Sequence, residues 1–449
     1  KKKMIEIFFI FLQLIIICFF LSFNISILNN KYLSFENSSL PENIAFNSII
    51  FLNFILIASF LNLDLNKIIF SYSIYLCFLL IFYFYKYKNL NNPLKNNLLY
   101  LSLLLITSFV IFLEVANNLV IGWDAQKFWI YKTLNFYNGN SITNLSNLPN
   151  PWYPYLGSLS WSFFWKVSFI ENEYSGRLFY VFLYLTSLLL IIKNLNFSKF
   201  YKTIFFITLI IISYDYTHHS HWSMFSGYQE ILIFSFVVMA MHFLYQISKS
   251  NKKLENFNIL KILLICNLLI WTKQEGIVIS FALILTLVSF FNFNYKKNIF
   301  ILTFFLTIVF FRFFIFEYYE LNPTNIQHVG YNNVTLFTIM DKITLERIFL
   351  ILQYLLLGLF SNYLILIGIL VSILMIITKK NLRKIYYLIF FLILNVLFFC
   401  GIYLITDTNL DHMLETGIDR IIFQFSPCAL FFIIELFNSE KNNFKRFNL

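Results

Sequence analysis

The sequence predicts an all-α, polytopic transmembrane helical bundle, and its composition, apolar runs and lysine placement each support this fold class. The chain has 449 residues, of which 59% are hydrophobic, 21% aromatic and only 12% charged. Its mean hydropathy is +0.73. Unbroken apolar runs at this density are typical of transmembrane helices, because a spanning segment has to satisfy its backbone hydrogen bonds internally. A transmembrane barrel would show weak alternating strands instead.

The apolar runs predict about twelve or thirteen spans of roughly bilayer length. A run as short as 203–215 is either a full span or a partial, re-entrant one. Residues 155–170 are apolar but contain Trp and Ser, which predicts interfacial helices in the first large outer loop. The predicted spans are 5–23, 44–63, 68–85, 98–120, 174–192, 203–215, 228–247, 257–271, 277–293, 298–316, 350–378, 385–405 and 421–437.

The lysines predict which loops face the cytoplasm, through the positive-inside rule. From residue 85 onward, strict alternation of the spans places every lysine-rich loop on one side. Counting backward puts the N-terminal LysLysLys on the outer face, so either a span precedes it or one early run does not cross. The formal net charge of +11 is therefore expected to face anionic lipid, and no nucleic-acid partner is predicted. The outer face receives 121–173, 214–227, 273–276, 317–347 and 406–419.

Asp124 is the candidate catalytic base. It lies one turn beyond an apolar run, in ValIleGlyTrpAspAlaGlnLysPheTrp (Val120 to Trp129). Charged residues at membrane edges are expensive to bury and are usually functional. Two interpretations are open: a helix cap that pairs with Lys127, or a carboxylate that deprotonates a substrate hydroxyl.

Basic residues on the same predicted face are candidates for binding phosphate. Arg420, in AspHisMetLeuGluThrGlyIleAspArg (Asp411 to Arg420), offers a planar bidentate fork. Arg420 could instead pair with Asp419, and Lys273 could instead neutralise Glu275 at a turn. Carboxylates and cations gathered at one membrane face suit a transfer in which a lipid phosphate leaves and a hydroxyl attacks.

Four segments, in order along the chain, resemble motifs of the GT-C superfamily of polytopic glycosyltransferases, which includes the dolichyl-phosphate-mannose mannosyltransferases. They are GlyTrpAspAla…TrpIleTyrLys (122–132), TyrPro (153–154), ThrLysGlnGluGly (272–276) and MetLeuGluThrGlyIleAspArg (413–420). The resemblance covers about residues 120–430. It divides the chain into N-terminal transmembrane segments, 1–97, and a catalytic core, 98–449.

The resemblance implies a sugar transfer from a polyprenyl-phosphate donor to a hydroxyl of a glycan, glycolipid or protein. In-line displacement with Asp124 as general base predicts inversion at the anomeric carbon. The implied location is the extracytoplasmic face of a bacterial plasma membrane, in cell-envelope glycan biosynthesis. Implied substrate-binding residues are Trp123, Lys127, Lys132, Tyr153, Glu230, Lys273, Glu275, His412 and Arg420.

The sequence departs from the family pattern at two places. TyrGlnGlu stands where relatives have Tyr-Ala-Asp, so Glu230 is the longer equivalent of that acid, and Trp152 stands where an acid is common. A divalent cation, Mg²⁺ or Mn²⁺, held by carboxylates such as Asp124 and Glu230 is an open alternative. A zinc site at the histidines of 218–221 lacks a completing Cys or Glu.

Two other functions are compatible with the same composition. An O-antigen ligase or polymerase also acts on polyprenyl-linked sugars within a helical bundle. A transporter or flippase would show internal repeats and Gly- or Pro-broken helices near the midplane. In this chain the charges gather at one predicted face and no repeat is apparent, which favours an enzyme.

Overall fold

The computed structural model describes most of the chain. The described residues are 2–22, 39–86, 94–219, 223–249, 252–291, 293–322, 343–377, 385–406 and 410–447. Within these ranges the protein has 17 α-helices and no strand, which confirms the predicted all-α class. Most of the predicted outer loop 317–347 and the start of 406–419 lie outside the described residues.

Most helix bounds follow the apolar runs, but the helix Leu410–Phe425 begins inside the predicted outer loop 406–419, ahead of the predicted run 421–437. A π-helical turn (Ala125–Trp129) and a 3₁₀ turn (Ile142–Asn147) lie in the first large loop. The helices, in chain order, are α1 (Lys2–Ser22), α2 (Leu40–Phe60), α3 (Leu65–Lys86), α4 (Leu94–Asn117), α5 (Ile130–Tyr137), α6 (Leu156–Lys166), α7 (Tyr174–Asn194), α8 (Lys199–His219), α9 (Glu230–Lys249), α10 (Lys252–Thr272), α11 (Glu275–Phe290), α12 (Tyr295–Tyr318), α13 (Leu345–Ser361), α14 (Tyr363–Ile377), α15 (Tyr386–Ile405), α16 (Leu410–Phe425) and α17 (Cys428–Phe447).

The described part of the chain contains eight helical segments that are long and apolar enough to cross a membrane. This confirms a multi-pass integral membrane protein. One of the eight, Leu410–Phe437, joins α16 to α17. Three shorter apolar helices, within α1, α3 and α11, account for further predicted runs.

The predicted span 350–378 is broken in the structure. Helices α13 and α14 meet at an angle of 82° around Asn362. The buried Asn362 has a ψ of 106°, and its Oδ1 accepts hydrogen bonds from the amides of Leu364 and Ile365, both at 3.1 Å. An N-cap inside an apolar run starts a new helix, which a hydropathy window does not detect.

Helix α6 is the part of the first loop that packs deepest. All of its residues from Leu156 to Trp165 are buried. Helices α1 and α2 also contribute to this packing: Gln13 Nε2 donates to the carbonyl of Phe164 at 2.9 Å, and Ser59 bonds to the Tyr155 hydroxyl at 3.0 Å. The N-terminal segments therefore pack directly on the helices that support the first loop.

Charged side chains lie at opposite ends of the bundle. Helix α7 runs from Arg177 at one end to Lys193 at the other, and α9 runs from Glu230 to Lys249. Lys193 and Lys249 both come from predicted cytoplasmic loops. The four residues Glu42, Lys193, His242 and Gln246, here called the Glu42 cluster, join at the Lys193 end.

Candidate functional site

Five charged residues from four separate segments form one ion-paired network, here called the Asp124 network. Arg420 donates to Asp124 Oδ2 and, through Nε at 2.8 Å, to Glu230 Oε1. Lys273 Nζ lies 2.8 Å from both Glu230 Oε1 and Glu275 Oε1. Three of the four resembling motifs, together with the departing TyrGlnGlu segment, therefore meet at one place. The predicted pairing of Lys273 with Glu275 is present, and Arg420 pairs with distant acids.

Asp124 is held where a loop turns into helix. The amide of Gly122 donates to the carbonyl of Ser226 at 2.8 Å, which joins this loop to the segment before α9. A Cβ on Gly122 would lie 2.1 Å from the Tyr228 ring, so glycine permits this close approach. Asp124 then precedes the π-helical turn, an irregularity that is frequent at functional sites.

Lys273 is placed by the tight turn between α10 and α11. A Cβ on Gly276 would lie 1.9 Å from the carbonyl oxygen of Leu269, so this turn requires glycine. The buried Arg312 donates to the Ile270 carbonyl at 2.7 Å and to the Gln274 side chain. Arg312 on α12 therefore fixes the turn that presents Lys273.

Glu230 is the buried centre of the network. It is the first residue of α9 and is 0% exposed. A carboxylate there is favoured by the helix dipole. Its Oε1 accepts from Lys273 and Arg420, while Oε2 has no hydrogen-bond partner among the described residues. An unsatisfied buried oxygen of this kind calls for an explanation.

Arg420 connects the network to an aromatic wall. Its guanidinium carbon lies 4.7 Å from the ring centroid of Tyr228, a cation–π geometry. Burial raises the pKa of Tyr228; the charge of Arg420 lowers it by less, and the charges of Asp124 and Glu230 raise it further, so this phenol stays neutral at physiological pH. Arg420 is 15% exposed, which leaves its fork accessible from one side.

The charge of Lys273 is secured by its neighbours. Burial alone would lower the pKa of this ammonium, but the carboxylates of Glu230 and Glu275 outweigh burial and raise it above its ordinary value. Lys273 is therefore a permanent cation at physiological pH.

A cavity of about 860 Å³ opens beside the network. One wall is polar and contains Asp124, Lys127, Lys273 and Arg420. The apolar side chains of the lining, here called the apolar wall, come from α11, α15 and α16 and include Val278, Phe399, Ile402 and Ile421. An amphiphile with an anionic head and an apolar tail matches these two walls.

Several predicted substrate-binding residues line this cavity. Trp123, Lys127, Tyr153, Lys273, Glu275 and Arg420 are among them, beside Asp124. Lys127 takes part in no ion pair within the described ranges, which leaves its charge available. Glu230 lies behind this lining, because it is fully buried.

Two predicted substrate-binding residues lie elsewhere. Lys132 is fully buried and donates to the carbonyls of Pro151, at 3.3 Å, and Tyr153. Burial, and then the charge of Arg312, lower the pKa of Lys132. His412 is exposed on α16 and does not line the cavity. Lys127 and Lys132 are five residues apart, which places them on different faces of a helix.

The described residues do not fit the metal alternative. No group of three or more His, Cys, Asp or Glu side chains within them is placed to hold a common ion. Arg420 stands between Asp124 and Glu230, where its charge would repel Mg²⁺ or Mn²⁺. The zinc hypothesis concerns His218, His219 and His221, whose side chains lie outside the described residues.

Sequence reasoning missed Arg312 and Tyr228. Arg312 carried a usable signal, because an arginine inside an apolar run is rare and functional or structural by default. Tyr228 belongs to the TyrGlnGlu segment of the resemblance, but nothing in the sequence indicates that its ring contacts Arg420. Comparison with family models, with curated proteins and with solved structures found no match to this chain.

Proposed function

We propose that the protein is an integral-membrane glycosyltransferase of GT-C type. It transfers a sugar from a polyprenyl-phosphate-linked donor to an acceptor hydroxyl on the extracytoplasmic face, with inversion. The observation that carries this proposal is the Asp124 network at the head of a cavity with one charged and one apolar wall.

The charge balance of the polar wall supports an anionic ligand. Arg420 and Lys273 are engaged with carboxylates, whereas Lys127 has no acidic partner within the described part of the chain. The donor phosphate binds Lys127 first and then competes with Asp124 for the Arg420 fork. A phosphate is a strong bidentate partner of arginine. This exchange frees the Asp124 carboxylate.

The freed carboxylate acts as the base. Asp124 takes the proton of the acceptor hydroxyl, whose oxygen forms a bond to the anomeric carbon. The bond between that carbon and the phosphate oxygen breaks, and the lipid phosphate leaves with the electron pair. Arg420 and Lys127 stabilise the charge on the leaving phosphate, as preorganised cations do in transition states.

The apolar wall supports a lipid carrier. This surface, formed by Val278, Phe399, Ile402 and Ile421, would stay in contact with water if the donor were a water-soluble sugar nucleotide, so such a donor would bring no hydrophobic stabilisation. A polyprenyl chain covers this surface while its phosphate stays at the polar wall.

The test compares wild type with Asp124→Asn in liposomes that contain radiolabelled polyprenyl-phosphate hexoses, with a cell-envelope extract as acceptor. Asparagine keeps the size of the side chain and a hydrogen bond to Arg420 but is no base. We expect transfer to fall by about 10²–10⁴-fold. Asp64→Asn is the matched control, because it is the same substitution at a partly exposed aspartate that contacts Lys67 and lies outside the cavity lining.

Other outcomes point to other functions. Transfer that survives Asp124→Asn would remove Asp124 from its role. Transfer of whole preassembled glycans, and of no single sugar, would identify a ligase or polymerase. Movement of the labelled lipid between leaflets without product would identify a flippase.

A further inference from the structure

A second cavity of about 370 Å³ lies beside the first. It is bounded by the end of α4, the start of α7 and residues 223–228, with the loop before Asp124 along one side. Trp123 lines both cavities. Tyr228 lines the second, and its ring makes the cation–π contact with Arg420. These two aromatic residues therefore separate the second cavity from the Asp124 network. The volume is within the range of small-molecule sites, about 300–1,000 Å³.

The walls of the second cavity are preformed. Arg177 is 1% exposed, and its Nη1 donates to the carbonyls of Val120, at 3.1 Å, and Phe225, at 2.9 Å. One guanidinium thus joins the loop before Asp124 to the segment before α9. The bond from Gly122 to Ser226 joins the same two segments a second time. A site held in this way loses little entropy when it binds a ligand.

The described lining of the second cavity does not suit an anion. Among the described residues Arg177 is the one lining cation, and its Nε and Nη2 bind the Glu173 carboxylate at 3.1 and 2.8 Å. Glu114 adds a negative charge at the mouth, where it accepts a hydrogen bond from the Tyr214 hydroxyl. A phosphate would meet a neutralised arginine and an acid, in contrast to the cations of the first cavity.

The lining instead suits an uncharged, polyhydroxylated ligand. Ser223, Ser226 and Asn118 offer neutral donors and acceptors, and the Glu114 carboxylate can accept from two hydroxyls. Trp123, 61% exposed, presents an aromatic face. Sugar rings combine these needs, because their C–H faces pack on aromatic rings while their hydroxyls take hydrogen bonds.

We propose that the second cavity binds the acceptor sugar, and this inference rests on the proposed function. An acceptor ring held against Trp123 extends one hydroxyl past this residue to Asp124, its neighbour in the chain. Its proton passes to Asp124, its oxygen bonds to the anomeric carbon, and the donor phosphate leaves into the first cavity. Donor and acceptor thus occupy separate cavities on either side of one aromatic partition.

The first experiment measures binding without turnover. Diazirine-bearing octyl glycosides (glucoside, galactoside, mannoside and N-acetylglucosaminide) are photolysed with the full chain in nanodiscs, with free methyl glycosides as competitors. We expect competed cross-links in 114–123 and 223–228. Asn118→Trp, which fills the mouth, should abolish them. Asn117→Trp is the matched control, because Asn117 is equally exposed but outside the lining.

The second experiment measures transfer kinetics. Asn118→Trp should raise the acceptor KM by about tenfold or more and leave the donor KM unchanged. Lys127→Ala, in the first cavity only, should change the donor KM and leave the acceptor KM unchanged. Cross-links confined to the first cavity, or an acceptor KM insensitive to Asn118→Trp, would overturn the inference.

The two proposals fail differently. If no donor supports transfer while competed cross-links remain in the second cavity, the sugar site stands and the proposed glycosyl transfer fails. If transfer occurs but neither experiment detects the second cavity, glycosyl transfer stands and the acceptor site is wrong.

Discussion

The Asp124 network and the Glu42 cluster are both buried groups of opposite charges, but they differ in whether every carboxylate oxygen has a hydrogen-bond partner. Glu42 Oε1 accepts from Lys193 at 2.6 Å, from His242 at 3.1 Å and from Gln246. Its Oε2 accepts from the amide and the hydroxyl of Ser39, both at 3.0 Å. Every carboxylate oxygen of the Glu42 cluster is therefore satisfied within the protein.

The Asp124 network is incomplete by the same measure. Glu230 Oε2 has no hydrogen-bond partner in the described part of the chain, although it is buried. Asp124 and Arg420 border a large cavity. The difference teaches that charge burial alone does not point to a site, whereas an unsatisfied buried oxygen within a network that borders a cavity does. Under the proposed function, the Glu42 cluster joins helices and the Asp124 network binds the donor.

The largest expected effect is on transfer, from Arg420→Ala. It removes the shared partner of Asp124 and Glu230 and the proposed phosphate fork, so the initial transfer rate should fall by about 10²–10³-fold or more. Arg420→Lys keeps the charge without the fork and should recover only part of the rate. A rate for Arg420→Ala near wild type would remove this residue from the mechanism.

Glu42→Ala should cause the largest loss of folding stability while leaving the rate of transfer unchanged. It leaves Lys193 and His242 without their shared acid and should lower the free energy of unfolding by about 3–5 kcal/mol. The rate per folded molecule should stay near wild type, because Glu230 and His242 are 12 residues apart on α9, a distance of about 18 Å. Denaturant unfolding in mixed micelles and active-site titration measure the two quantities. A rate that falls with folding intact would show that the Glu42 cluster takes part in function.

Gly276→Ala should disturb the Asp124 network through the backbone. The new Cβ would meet the Leu269 carbonyl, which is 1.9 Å away, and overpacking of this kind costs about 1–3 kcal/mol. Displacement of Lys273 should also reduce transfer. Gly401→Ala is the matched control, since nothing lies within 4 Å of its added Cβ. Equal thermal midpoints for the two variants would contradict the close approach.

The smallest expected effect concerns pH. Lys273 has a raised pKa in the folded protein, so its stabilisation is fully present below the ordinary value of 10.5 and is lost only as pH rises through the higher folded value. The difference in unfolding free energy between wild type and Lys273→Met should therefore stay constant from pH 6 to pH 10. A difference that declines within this window would mean that Glu230 and Glu275 do not hold the proton on Lys273.

Much of the fold followed from local sequence. Apolar runs predicted most of the helices, and Lys193 near the end of α7 lies with His242 of α9 around Glu42, which agrees with placing the loops after α7 and α9 on one side. The break at Asn362 was not predicted, because a single polar residue within an apolar run barely changes its mean hydropathy, and neither was the start of α16 inside the predicted loop 406–419.

For the site, the sequence predicted which residues take part better than it predicted what each of them contacts. Asp124, Lys273 and Arg420 are all predicted from the sequence, and all three belong to the Asp124 network. Lys132, which the resemblance also implies, instead donates to backbone carbonyls. Tyr228 and Arg312 gain their importance from neighbours that are remote in sequence.

The sequence by itself determined that this is a multi-pass helical membrane protein and which segments carry its few charges. Hydropathy and local spacing are properties of a segment, so they can be read without the rest of the chain. Only the tertiary structure decided that Arg420 pairs with Asp124, 296 positions away, and with Glu230, 190 positions away, rather than with adjacent Asp419. Such pairings depend on how helices pack, because packing alone brings the start of α9, the turn after α10 and Arg420 of α16 into one ion-paired network.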